Sequence, residues 1–137
     1  MREILFRGKR KDNGEWVDGY YNGRHIVMWH DKKVCTDDEY IIMPMQRMID
    51  VILETVGQYT GLTDKNGKKI FEGDILEFIY DDAKSFHIVQ WSYEYAGWAT
   101  QNIDEKYDAE TMDFWDEFRG CYEIIGNIHD NPELLEE

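Results

Sequence analysis

A mainly β fold with one helix is what this sequence predicts. Three observations predict it: short segments of alternating apolar and polar residues, Gly-containing turn sequences between them, and nine Tyr, six Phe and five Trp among 137 residues, types that suit pleated surfaces. Short strands joined by such turns, with a single late helix, favour a small barrel over an open α/β sheet. The length suits one domain or two small lobes with a buried core. Hydrophobic residues at 42% place the chain outside the disordered class despite its charge.

The opening segment alternates, with Ile4 and Phe6 on one face and Glu3, Leu5 and Arg7 on the other. Asn13-Gly14 supplies the turn chemistry of a hairpin. Glu15–Tyr21 returns as a second strand, Asn22-Gly23 turns again, and His25–Trp29 makes a third. Residues 1–30 therefore read as a β-meander. Asp31-Lys32-Lys33 reads as a loop, and Tyr40–Met43 as a short strand that Pro44 should end or place at an edge. Residues 45–54 fit two patterns: Met45, Met48, Ile49 and Ile52 have helical spacing, whereas Asp50–Glu54 suits a strand. This stretch is the expected joint between an N-terminal β-rich lobe, residues 1–53, and a second lobe, residues 54–137.

In the second lobe, Val56, Gln58 and Thr60 alternate with Gly57 and Tyr59. Asp64-Lys65-Asn66-Gly67 is a turn, and Glu72-Gly73-Asp74 is a tight bend. Strands are expected over Ile75–Tyr80, Phe86–Trp91 and Trp98–Ile103, with a turn at Asp81-Asp82-Ala83-Lys84. A helix is expected over Asp108–Arg119. Asp108 caps it, Met112, Trp115 and Phe118 form its apolar stripe, and Gly120 stops it. Tyr122–Ile128 alternates as a last strand, and Pro132 precedes an acidic tail.

The formal net charge is −14. From Asp104 onward twelve acids face only Lys106 and Arg119, while the first eleven residues hold Arg2, Arg7, Lys9, Arg10 and Lys11 against Glu3. An acidic total makes nucleic acid a poor expected partner, because cation–phosphate contacts supply most non-specific affinity. The basic start can instead pair with the acidic end of a neighbouring subunit. Two cysteines, Cys35 and Cys121, lack metal-ligand or disulfide-scaffold spacing and read as reduced thiols. No sustained apolar core marks a secretory leader, and no apolar run reaches the roughly 20 residues of a membrane span.

No reaction pattern emerges. His25, His30, His87 and His129 are scattered without zinc-helix spacing. There is no phosphate-binding loop, dinucleotide fingerprint or nucleophile elbow. The stretch from Asp64 lacks the full ligand set of a calcium loop. Glu72 and Asp74 flank Gly73 and read as bend residues rather than an acid–base pair. No catalytic residue, metal ligand or cofactor is assigned. The candidate binding surface is the aromatic run Trp91, Tyr93, Tyr95 and Trp98, residues that anchor interfaces and also fill small barrels. Its surroundings lack the cations that base stacking would want.

Three blocks carry a family resemblance. The central one is Gln58-Tyr-Thr-Gly-Leu62, Asp64-Lys-Asn-Gly67 and Phe71-Glu-Gly-Asp-Ile75; the outer ones are Arg2–Arg7 and Glu123–Ile128 with Asp130-Asn-Pro-Glu133. Together they resemble the YopX family of small phage and prophage proteins. The sequence departs from the family's pattern at Ile52–Thr55, where a proline-containing turn is common. The resemblance implies a β-rich fold with an SH3-like barrel in the C-terminal lobe and a bacterial cytoplasm, and it carries no catalytic residues. The expected function is that of a non-catalytic accessory protein. It would bind a host or phage protein, as a homo-oligomer, with its acidic region serving in one version as a nucleic-acid mimic. The alternatives are a nucleic-acid-binding barrel and a metal-dependent hydrolase on Glu72, Asp74 and His87.

Overall fold

The structure is a computed structural model that describes residues 3–35, 40–94, 96–103, 110–111 and 119–135, without side chains at 30–35, 40–44, 80, 110–111 and 119. It is β-rich, with two five-stranded antiparallel sheets. The strands are β1 (Phe6–Arg10), β2 (Trp16–Tyr21), β3 (His25–Cys35), β4 (Tyr40–Thr63), β5 (Lys69–Phe71), β6 (Asp74–Tyr80), β7 (Ala83–Ser92), β8 (Gly97–Asn102), β9 (Glu110–Thr111) and β10 (Tyr122–Asn127). Single 3-10 turns cover Arg119–Cys121 and Pro132–Leu135. The chain divides into an N-terminal unit, Ile4–Gly57, and a C-terminal unit, Gln58–Glu137 together with Met1–Glu3.

In the N-terminal unit, β1, β2, β3 and β4 pair in order, and a further β1–β4 pairing closes the four strands into a ring. The ring encloses Ile26, Ile49 and Val51, against which Phe6, Val17, Tyr21, Met28 and Val56 pack. The Thr55 hydroxyl helps the closure. It accepts from the Lys9 amide at 2.9 Å and donates to the Ile52 carbonyl at 2.6 Å. The expected N-terminal meander is present from Phe6 onward as β1, β2 and β3.

Beyond it, the sequence reading needs two corrections. Asp31-Lys32-Lys33 is strand, not loop, and β4 runs through Pro44, which lies opposite Asp31. Among the described pairings each strand of this ribbon has only the other as neighbour. A proline is tolerated where its nitrogen faces an open edge. Residues 45–54, left between helix and strand, are strand: Ile49 and Val51 alternate inward with Met48 and Ile52 outward.

In the C-terminal unit, β10, β6, β7, β8 and β9 form an antiparallel sheet in that order, and β5 pairs with β4. Ile70, Leu76, Val89 and Tyr122 form its core, with Leu62, Phe78, Trp98 and Ile124 packed around them. Asp81 and Asp82 both take positive φ, 52° and 63°, between the facing residues Tyr80 and Ala83. That is the two-residue primed turn that matches strand twist, here built from aspartates, which tolerate this region better than most residues. The helix expected over 108–119 falls largely outside the described residues. Its described part, Glu110–Thr111, pairs with Thr100 and Ala99 as a short strand, and Arg119 opens a 3-10 turn.

Candidate functional site

The central and closing sequence blocks meet in the C-terminal unit. Asp64 is buried, and its two carboxylate oxygens accept three backbone amides: Asn66 and Lys68 on one oxygen, both at 2.9 Å, and Ile124 on the other at 3.1 Å. One short side chain thus shapes its own turn and ties that turn to β10. Lys65 reinforces the tie through its amide to the Tyr122 carbonyl at 3.0 Å, and the Asn66 carboxamide donates to Glu123 at 3.2 Å. Upstream, the Thr60 hydroxyl donates to the Ile70 carbonyl at 2.8 Å and accepts from the Leu62 amide at 3.1 Å, which holds the irregular pairing of β4 with β5.

Asp74 is fully buried and accepts the Phe71 amide at 2.7 Å. Between them, Gly73 sits at φ 90°, donates to Val89 and accepts from Ile128, both at 2.9 Å. A side chain there would be strained by the backbone angle. The closing block locks itself in the same way. Asn127 accepts the amides of His129 and Asp130, while the Asn131 side chain returns to the Asn127 amide at 3.2 Å. Gly126 leaves room for that carboxamide, since a Cβ would collide with it. The residues that carry the resemblance therefore satisfy backbone groups.

Glu72, Asp74 and His87, the residues of the hydrolase alternative, form no group of metal ligands among the described residues. Asp74 is engaged with Phe71. His87 is buried, 6.1 Å from both Phe78 and Tyr122 in edge-on geometry, with its Nε2 at 2.8 Å from the Ser85 hydroxyl. Ser85–His87 is a contact of nucleophile and base types among the described residues, and sequence reasoning missed it; a Ser-x-His spacing within a strand was its signal. Burial pushes the Glu72 carboxyl above its ordinary range. Among the described residues no three His, Cys, Asp or Glu side chains converge as metal ligands.

The aromatic run divides. Trp91 and Trp98 face each other across β7 and β8, edge to face at 5.2 Å. Trp98 packs on the core, whereas Trp91 is 37% exposed. Tyr93, in the connecting turn, is 91% exposed. Tyr95 lies outside the described residues.

A second surface was not foreseen. On the outside of the N-terminal unit, Tyr20 on β2 and Met48 on β4 flank the buried Val27 of β3 in one row, with Trp29 two residues along. Tyr20, Met48 and Trp29 are 63%, 57% and 59% exposed. The signal was the alternation in residues 45–54, unreadable until strand was chosen over helix. Met48 also borders a depression of roughly 400 Å³ lined by Arg10, Lys11, Asp12, Arg47 and Asp50. Asp12 engages both ends of the Arg10 guanidinium, at 2.9 and 2.6 Å. This contact holds the Asp12 carboxyl below its ordinary range and raises Arg10. Asp50 meets His25 at 2.9 Å. Among the described residues neither Lys11 nor Arg47 has a side-chain hydrogen bond or ion pair. Arg7 and Lys9 instead lie over the Trp16 ring, at 4.6 and 5.8 Å from its centroid.

Two β-rich units, the C-terminal one shaped by the buried turn aspartates Asp64 and Asp74, define a class of small β-rich protein. The YopX protein family model matches residues 5–136, and the chain belongs to that family. Among solved structures it is similar to protein EF1440 from Enterococcus faecalis, at 25% identity and a TM-score of 0.60, over 99% of this chain and 100% of that one. Comparison with curated proteins gave no match.

Proposed function

We propose that this YopX-family chain is a non-catalytic phage or prophage accessory protein that works in the bacterial cytoplasm by binding another protein, itself as a homo-oligomer. The observation that carries the reading is the β7–β8 hairpin, which presents Tyr93 and one edge of Trp91 to solvent on a support fixed by Trp98. Large aromatics held on a rigid hairpin make good anchors, because little rotamer freedom is lost on binding. An SH3-like barrel in the C-terminal unit would suit an adaptor, by analogy of fold alone. No described helix is long and apolar enough to cross a membrane. In one version the acids of 104–137 mimic nucleic acid and occupy a host nucleic-acid-binding protein.

Capture of partners from host lysate tests the reading. Tyr93→Ala and Trp91→Ala should lose the partner bound through the hairpin, and neutralising the acids of 104–137 should lose a partner that reads them as phosphate. Full retention by all three variants overturns both versions. The nucleic-acid-binding alternative is weakened by the use of Arg7 and Lys9 against Trp16 and of Arg10 against Asp12. Salt-dependent binding to single-stranded DNA or RNA would revive it.

A further inference from the structure

We infer that the depression beside Met48 is a docking seat for an acidic stretch of a second copy of this chain. Its charges decide the ligand class. Arg10, Lys11 and Arg47 border it with Asp12 and Asp50, a net of +1; Arg10 is engaged by Asp12 and Asp50 lies against His25, which leaves Lys11 and Arg47 as the bordering cations without a side-chain partner among the described residues. Two such cations bordering an exposed methionine suit carboxylates that alternate with aliphatic side chains.

The chain itself supplies that chemistry. The N-terminal unit holds eight Lys and Arg against nine Asp and Glu, net −1, while the C-terminal unit holds seven against twenty, net −13. Glu133-Leu134-Leu135-Glu136-Glu137 combines the two required kinds of residue, and Glu133 is exposed, with one long contact of 3.3 Å from the Asn131 carboxamide. Two whole chains at −14 each repel. Contact between the acidic unit of one copy and the seat of another avoids much of that repulsion. Such a contact joins unlike surfaces, so each copy offers one seat and one acidic stretch, and association closes by reciprocal exchange or continues to further copies. It rests on the self-association in the reading above and leaves the hairpin uninvolved.

Sedimentation velocity on the full chain, across a concentration series at low and high salt, is the test. The mean mass should rise with concentration at low salt and fall as salt screens the contact. Lys11→Glu with Arg47→Glu should weaken association about tenfold or more, and Glu133→Gln, Glu136→Gln and Glu137→Gln together should do the same. Lys68→Glu with Lys84→Glu, an equal charge change elsewhere, should match the neutral-site expectation and leave it intact. Mixing the two defective variants should restore a one-to-one complex, because one keeps the acids and the other the seat. A monomer at every concentration overturns the inference, and with it the homo-oligomer, while the hairpin reading stands. Association unaffected by the Lys11 and Arg47 substitutions, or a mixture that stays monomeric, overturns the seat alone. Binding of a single-stranded oligonucleotide that those substitutions abolish would reassign the seat to nucleic acid.

Discussion

The two units solve the problem of closure with opposite materials. The C-terminal unit buries carboxylates and carboxamides, with Asp64, Asp74 and Asn127 each accepting backbone amides. The N-terminal unit closes its ring around Ile26, Ile49 and Val51, with Thr55 as its buried polar contribution. A buried polar group fixes distance and direction, and it is costly to disturb because its partners are stranded when it leaves. An apolar core tolerates more variation in shape. Outside, the contrast is one of charge. Both units leave large apolar side chains in solvent, Tyr20, Trp29 and Met48 in the first and Trp91 and Tyr93 in the second, but the C-terminal unit carries nearly all the net negative charge. The residues most tightly tied to identity are therefore engaged in folding, and the candidate working surfaces are made of residues that folding does not require.

Substitutions can break this contrast. The largest effect is expected at Asp64. Asp64→Ala strands three amides and should cost about 3 kcal/mol or more in chemical denaturation, with early loss of hydrogen-exchange protection at Asn66, Lys68 and Ile124. A loss below about 1 kcal/mol would mean that water satisfies these groups. Gly126→Ala comes next, at about 2 kcal/mol, through collision with the Asn131 carboxamide. Asn131→Ala should absorb part of that cost, and a double-mutant cycle measures the coupling.

On the outer face of the N-terminal unit, Tyr20→Thr, Trp29→Thr and Met48→Thr should each move stability by no more than about 0.5 kcal/mol. A larger loss at Trp29 would make it a structural residue. The smallest effect belongs to Glu72. Its carboxyl is raised by burial, so the folded chain holds that proton more readily than the unfolded chain. Stability from this source is greatest below the unfolded carboxyl's pKa and declines as pH rises through the raised folded value. Glu72→Gln should remove that slope from a series of melts across acidic pH.

Local chemistry was the readable part of the sequence. The turn at Asp64-Lys65-Asn66-Gly67, the bend at Glu72-Gly73-Asp74 and the reversal at Asp81-Asp82 each depend on neighbours within a few residues. The ribbon beyond Trp29 was hidden because a two-stranded edge accepts Asp, Lys and Pro, residues that elsewhere end strands. The fates of Trp91 and Trp98 could not be separated from composition, since which of a cross-strand pair reaches the core depends on Ile70, Leu76 and Tyr122 brought from other strands. The bond from Ile124 to Asp64 had no local trace at all.

That bond also sets an order in time. Its partners lie 60 positions apart, so when Asp64 leaves the ribosome its second oxygen must wait for Ile124 to be made. Every strand that closes the N-terminal ring has by then been synthesised, because β4 supplies the last of them. The first unit can fold while the second still lacks β10, whose pairing with β6 completes that side of its sheet. A pause in translation before Tyr122 would therefore leave a folded N-terminal ring attached to a β6 with one open edge.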